Sequence, residues 1–256
     1  DRLEAAEGVK VKSLYKAIKL LDFFTPECPE RGITELAQLS GLLKSSLHNI
    51  VTTFVACGFL EQNVQSGRYR LGLKVLQLSN NLYLSHDLRI LVRPYLERAC
   101  QSTGENVYFG TVSEDEVIYM DAVMPQASFT GRSIIGIKAP LYCTGIGKAL
   151  LAFSGPELVA QVIRRGLVAF TDNTLVDPAA LRADLARIKE RGYSLDNMEH
   201  EYGIFCIAVP IRNVHGEVVA AMSVSGPQPR FTEQQIQHHS ALLLKSSIEL
   251  QSLIRR

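Results

Sequence analysis

The chain has 256 residues, 46% hydrophobic and 21% charged, with a formal net charge of +1; this is ordinary globular composition, and at about 100–200 residues per domain it predicts two domains. No stretch approaches the roughly 18 consecutive apolar residues of a membrane span, and no charged-then-apolar leader opens the chain, so no membrane partner or signal peptide is expected. Five widely spread cysteines without a C-x-x-C pair, and six histidines without H-E-x-x-H, fit a cytoplasmic protein with no disulfide framework, no functional metal and no cofactor.

The first predicted helix covers residues 13–24, with Leu14, Ile18, Leu21 and Phe23 or Phe24 toward a core, and ends before Pro26. "ITELAQLSG" reads as a short helix capped by Thr34 and broken by Gly41. The stretch "GLLKSSLHNIV" (41–51) then becomes the third helix, continuing to about Cys57 and stopping at Gly58. "FLEQNVQSGRYRLG" reads as a β-hairpin turning at Ser66-Gly67, with Arg68 and Arg70 making its tip region cationic. Three helices followed by a hairpin predict a winged helix-turn-helix over residues 1–73. Ala37 is small enough for two helices to cross closely, and Gly41, four residues on, permits the tight turn between them.

Leu47, Ile50, Val51 and Phe54 then anchor the helix after the turn. Lys44, Ser45, Ser46, His48, Asn49, Thr52 and Thr53 must face outward. Such short donors and acceptors reach base edges or phosphates when a helix lies in a major groove; they could equally form a solvated surface. Charge adds little, since residues 1–74 carry net +2 and residues 75–256 net −1.

A linker helix is expected over 74–87. Leu71, Val75, Leu78 and Leu82 recur at intervals of four, three and four, a seam for pairing with another helix or for packing within the chain. Residues 88–256 read as a mixed α/β domain. Helices are expected over 88–102, from about 145, over 178–191 and over 232–254, with strands around 106–112, 116–123, 204–211 and 217–225.

"TGIGKALLA" (144–152) is not a phosphate loop, because Tyr142 and Ala149 stand where glycine and a hydroxyl residue are required. Thr144, Gly145 and Ile146 nonetheless open a helix whose free N–H groups could hold an anion. In 203–227 a turn at Val214-His215 would place Cys206 opposite Ser223, and Ile204 opposite Ser225. Phe205, Ile207, Val209, Val218, Ala220, Met222 and Val224 would share an apolar face. The opposite face of small residues leaves room for either a small-molecule pocket or a close-packed layer. Asp196, Glu199 and Glu201 read as a solvated acidic loop, with Asp196 as a possible ligand contact. Cys206 is either an inert thiol or the nucleophile of an enzyme of small carbonyl or acid metabolism.

"ITELAQLSGL.KSSLHNI", "PLYCTGIGKALLA", "ERGYSLDNMEHEYG" and "CIAVPIRNVHGEVVAAMSVSGPQPRF" resemble the IclR-type bacterial transcriptional regulators over nearly the whole chain. The resemblance implies an α+β protein with a DNA-binding winged helix-turn-helix, a linker helix and a GAF-like C-terminal effector domain. It also implies dimers or dimers of dimers on palindromic operator DNA, answering to small organic acids or related metabolites, and a regulator in place of an enzyme. The DNA-binding set becomes Lys44, Ser45, Ser46, His48, Asn49, Thr52, Arg68 and Arg70. The family's effector pocket falls on Gly145, Ile146, Asp196, Cys206, Ser223 and Ser225. Ile146 stands where alanine is usual, and Asn49 replaces a common arginine.

Overall fold

Seven side chains with little or no exposed surface, Leu20, Phe24, Leu36, Leu47, Val51, Leu60 and Tyr69, form the core of the first of two compact units, Asp1–His86 and Asp87–Arg256. The computed structural model describes residues 8–85, 87–125 and 134–255. His86, at the end of the expected linker, lies outside the described residues.

In the first unit, helix α1 spans Lys12–Lys19 and tightens into a 3₁₀ turn over Leu20–Phe23. That winding, at about three residues per turn, brings Leu20 and Phe24 to the core. Leu14 and Ile18, expected to be buried, are 56% and 53% exposed. Helix α2 covers Ile33–Ser40 and is not capped by Thr34. The side chain of Glu35 reaches back to accept from the Gly32 N–H at 3.0 Å, so the helix starts two residues earlier than a Thr34 cap would place it. Gly41 ends it at φ +69°, a left-handed conformation that glycine adopts without a Cβ penalty.

Helix α3 (Lys44–Ala56) follows α2 after three residues and ends near Gly58, as the sequence predicts. Strands β1 (Leu60–Gln62) and β2 (Tyr69–Leu71) form the hairpin. Arg31 adds a third edge, its backbone exchanging hydrogen bonds of 2.9 and 2.8 Å with Tyr69. Helix α4 (Leu73–Ser85) comes next. Leu71, expected to open its leucine seam, instead ends β2 because Gly72 separates strand from helix; the rest of the seam is largely uncovered in the single chain, with Leu78 at 44% and Leu82 at 58% exposed and Val75 partly buried.

The second unit is one antiparallel sheet between two helical layers, with strand order β5-β4-β3-β8-β7-β6. Helix α5 spans Asp87–Thr103, and strands β3 and β4 cover Asn106–Ser113 and Glu116–Val123. Strand β5 (Lys138–Pro140) precedes helices α6 (Gly145–Phe153), α7 (Pro156–Arg165) and α8 (Pro178–Arg191). Strands β6 (Ser194–Asn197), β7 (Ile204–Arg212) and β8 (Val218–Pro227) lead to helix α9 (Glu233–Gln251). Period-two alternation sorts the side chains. Phe205, Ile207, Val209, Met222 and Val224 pack with residues of α5 and α9, while Ala208 and Ala221 face residues of α6 and α8.

Two sequence expectations are corrected here. Cys206 lies opposite Ser225, and Ser223 opposite Ala208, because the hairpin turn is wider than two residues. Asn213 closes it, with its Oδ1 accepting from the N–H groups of His215 and Glu217. A slip of two residues preserves which face each side chain occupies, so the small residues remain together. A bulge at Ile211/Arg212 moves Val218 to the face of α6 and α8. The second correction is that Asp196 belongs to β6, the edge strand paired with β7, not to a solvated loop; it is 4% exposed, and Glu199 is 7% exposed.

Candidate functional site

In the first unit, Leu47 and Val51 fix α3 in the core. Lys44, Ser45, Ser46, His48, Asn49, Thr52 and Thr53 are all exposed on its outer side. Leu43 precedes the helix without a side-chain cap, so the first N–H groups of α3 keep the positive end of the helix dipole open to an anion such as a phosphate. The two wing arginines are already engaged. Arg68 donates to Glu35 at 2.8 Å and to the Glu30 carbonyl at 3.1 Å, tying the hairpin to α2. The Gly32 N–H and the Arg68 guanidinium together hold the Glu35 carboxyl below its ordinary range. Arg70 pairs with Glu61 across the hairpin at 3.2 Å. These partners lie 33 and 9 residues away, beyond the reach of any local motif.

In the second unit, the sheet register builds the floor of a cavity. Asp196 pairs with Cys206, Cys206 with Ser225, and Ser225 with Asn106, so β6, β7, β8 and β3 each contribute one side chain to a polar row. The next row holds Ser194, Ala208, Ser223 and Tyr108. Helix α6 comes down on the sheet because residue 145 lacks a side chain. A Cβ there would stand 2.9 Å from that of Cys206, and the Ser194 hydroxyl donates to the Gly145 carbonyl at 2.6 Å. The alternatives left open by the sequence are thus both realised: Ala208 and Ala221 pack closely, while Cys206, Ser223 and Ser225 border open space.

That space is a cavity of 520 Å³, lined by all six nominated residues, Gly145, Ile146, Asp196, Cys206, Ser223 and Ser225. Thr144 accepts from the Gly147 N–H at 3.1 Å, leaving the Gly145 and Ile146 N–H groups without an acceptor inside α6. Burial raises the Asp196 carboxyl above its ordinary range. Burial also raises the phenols of Tyr108 and Tyr119, which meet edge-on at 5.9 Å in the cavity wall. The Asn106 Oδ1 is buried with no partner among the described residues, an acceptor awaiting a donor.

Cys206 hydrogen-bonds the Ser225 hydroxyl at 3.1 Å. Burial, then the charge of Asp196, push its thiol well above the usual value, the wrong direction for a nucleophile. Asn106, Tyr108 and Tyr119 escaped the sequence reading. Their place beside Ser223 and Ser225 depends on pairing across more than a hundred residues. Among the described residues no group of three or more His, Cys, Asp or Glu side chains could hold a metal ion, and no helix is long and apolar enough to cross a membrane.

Residues 81–251 match the bacterial transcriptional regulator IclR C-terminal family, and residues 13–64 match the IclR helix-turn-helix domain. The transcriptional repressor IclR of Escherichia coli K12 is 34% identical over 244 residues, covering 94% of this chain and 89% of that protein. The crystal structure of the Thermotoga maritima IclR is 30% identical, with a TM-score of 0.72 over 93% of this chain and 97% of that one. An IclR homolog from Microbacterium hydrocarbonoxydans, complexed with 4-hydroxybenzoate, is 25% identical with a TM-score of 0.81 over 93% and 97%. Matched along both its helix-turn-helix and its C-terminal domain, the chain belongs to the IclR family of bacterial transcriptional regulators.

Proposed function

We propose that this chain is a cytoplasmic regulator whose α3 lies in the major groove of a palindromic operator, and whose cavity binds a small organic acid that changes its hold on DNA. The observation that carries the effector reading is the gathering of Gly145, Ile146, Asp196, Cys206, Ser223 and Ser225 around one cavity. A carboxylate at the open N–H groups of α6 gains from the helix dipole. The Asp196 carboxyl, raised above its ordinary range by burial, lines the same cavity as a further polar contact. A hydroxyl elsewhere on the ligand satisfies Asn106. The relative crystallised with 4-hydroxybenzoate carries an acid of that composition, which supports a hydroxy acid here. Residues 1–73 act as the DNA-binding domain, 74–87 as the linker and 88–256 as the effector domain.

On DNA, Lys44 contacts phosphate, Ser45, Ser46 and Thr52 support the docking, and His48 and Asn49 read bases. Arg68 and Arg70 bring the wing to the backbone, where phosphates compete with Glu35 and Glu61. Operators recovered by selection from genomic DNA should show half-sites about 34 Å apart or a multiple of that. Lys44→Ala should weaken all sequences and lower the salt slope by about 1. His48→Ala and Asn49→Ala should shift base preference by about 1–3 kcal/mol at one position each. Uniform weakening by all three, measured by anisotropy on operator variants, would remove this division of roles.

The α4 seam of Val75, Leu78 and Leu82 pairs two copies into a homodimer, the unit that a two-fold operator requires; the dimer can pair again as a tetramer. Its exposed leucines in the single chain support this. Leu78→Glu puts a charge in that seam and should shift sedimentation toward smaller species. An unchanged mass with folding intact would assign the leucines to other contacts.

A further inference from the structure

Lys148 is almost fully buried, on the second turn of α6, and it joins two carboxylates: Asp184 of α8 at 2.9 Å and Glu199 at 2.5 Å. Glu199 stands in the turn between β6 and β7, and its backbone N–H donates to the Asp196 Oδ1 at 2.8 Å. It therefore touches both walls of the cavity, the helix through its side chain and the strand through its backbone. The same turn is held under strain. Met198 sits at φ +57°, a costly conformation for a side chain of its size. Thr174 donates to the Glu199 carbonyl at 2.5 Å and Thr171 to the Met198 carbonyl at 2.6 Å. One oxygen of the Glu199 carboxyl, Oε2, is buried with no partner among the described residues.

We propose that Glu199 is the positioning residue of the cavity: it clasps α6 to the strand bearing Asp196, and the clasp loosens when its carboxyl loses its proton. The groups around it make ionisation expensive. Among the described residues Lys148 from α6 is the cation bonded to it, and that charge is shared with Asp184, whose carboxyl Arg187 also engages at 3.1 Å. Asp196 of β6 adds a further negative charge, Arg191 of α8 acts on Glu199 at longer range, and Cys143 and His200 complete the surroundings. Burial, only partly offset by Lys148, raises the Glu199 carboxyl from 4.5 to about 7. A cleft of 380 Å³ lined by Asn173, Arg187, Arg191 and Glu199 gives it a path to solvent. The stability this proton supplies is fully present below about 4.5 and is lost as pH rises through about 7. The bearing of the clasp on ligand affinity rests on the effector reading above.

Hydrogen exchange on the full-length protein tests the clasp without a ligand. If local opening returns Glu199 to its ordinary value, the protection factors of the Gly147, Lys148 and Glu199 amides should fall about tenfold between pH 6 and pH 8. Glu199→Gln keeps an acceptor for Lys148 and cannot ionise, so its protection should be flat and high. Glu199→Ala loses the clasp and should be poorly protected at both pH values. Wild-type protection that does not change with pH would overturn the proposal, as would a Gln variant that follows the wild-type fall; the wild-type profile decides the matter even if a variant does not fold. Calorimetry with 4-hydroxybenzoate adds a second readout, with weaker binding at pH 8 expected in wild type only. Equal pH dependence in wild type and the Gln variant would remove Glu199 from positioning. No binding at all would count against the effector reading, while exchange still judges the clasp.

Discussion

Replacing Lys148 with methionine is expected to destabilise the second unit by about 3–5 kcal/mol at pH 8, a drop of about 6–20 °C in Tm. The side chain of Lys148 is 2% exposed, and those of Asp184 and Glu199 are 10% and 9% exposed. Methionine fills nearly the same volume but leaves two buried carboxylates facing each other without their shared cation. Arg187 continues to serve Asp184 from a partly exposed position, so Glu199 suffers most. Protonation of Glu199, made easier by removing the Lys148 charge that lowers its carboxyl, relieves part of that cost, so the loss should be smaller in acid than at pH 8. Thermal unfolding of wild type and variant at pH 8 and pH 5.5 checks both the size and the sign; a loss under 1 kcal/mol, or one that grows in acid, would contradict it.

Ser225→Leu is expected to close the cavity. Ser225 lies between Cys206 and Asn106 in the polar row, 6% exposed, with its hydroxyl on the Cys206 sulfur. Leucine adds bulk where a ligand would sit and removes one hydrogen-bonding group. Overpacking and the lost hydrogen bond together amount to roughly 2–4 kcal/mol, or about 30- to 1,000-fold in Kd for an acid that binds wild type. Helix α3, proposed above to read DNA, belongs to the other unit, so operator affinity should persist. Calorimetry measures the first quantity and anisotropy the second.

The first unit was legible because its signals are local. Gly41 four residues after Ala37, the apolar spacing of Leu47 and Val51, and Ser66-Gly67 between two β-prone runs each act within a few residues of themselves. Its errors were local as well: the 3₁₀ turn at Leu20–Phe23 redirected α1, and Glu35 capped α2 from three residues downstream of Gly32. In the second unit, β5 and β6, three and four residues long, are too short to show a period, and α7 was not anticipated. The shared face of Cys206, Ser223 and Ser225 was legible, since a register slip of two residues leaves side chains on the same side. The partners across that face were not read, because Asn106, Tyr108 and Tyr119 meet Ser223 and Ser225 only through long-range pairing. Lys148 was seen only as the lysine of a failed phosphate-loop pattern. Its two carboxylates lie 36 and 51 residues away, and nothing in the intervening chain announces that they converge.

An effector cavity must transmit its occupancy to DNA, which happens only if the ligand binds one arrangement of the regulator better than another. The most direct measurement is a titration of small carboxylates and hydroxy acids, 4-hydroxybenzoate included, against wild-type protein and Ser225→Leu on an operator recovered by selection, read by fluorescence anisotropy. The expected result is that at least one acid changes the apparent operator Kd of wild type by about 5- to 150-fold, the usual range of such coupling, while Ser225→Leu binds the operator as tightly as wild type and does not respond. A Ser225→Leu protein that responds as wild type does, or a wild-type protein that binds an acid in the cavity with no change in operator affinity, would contradict it.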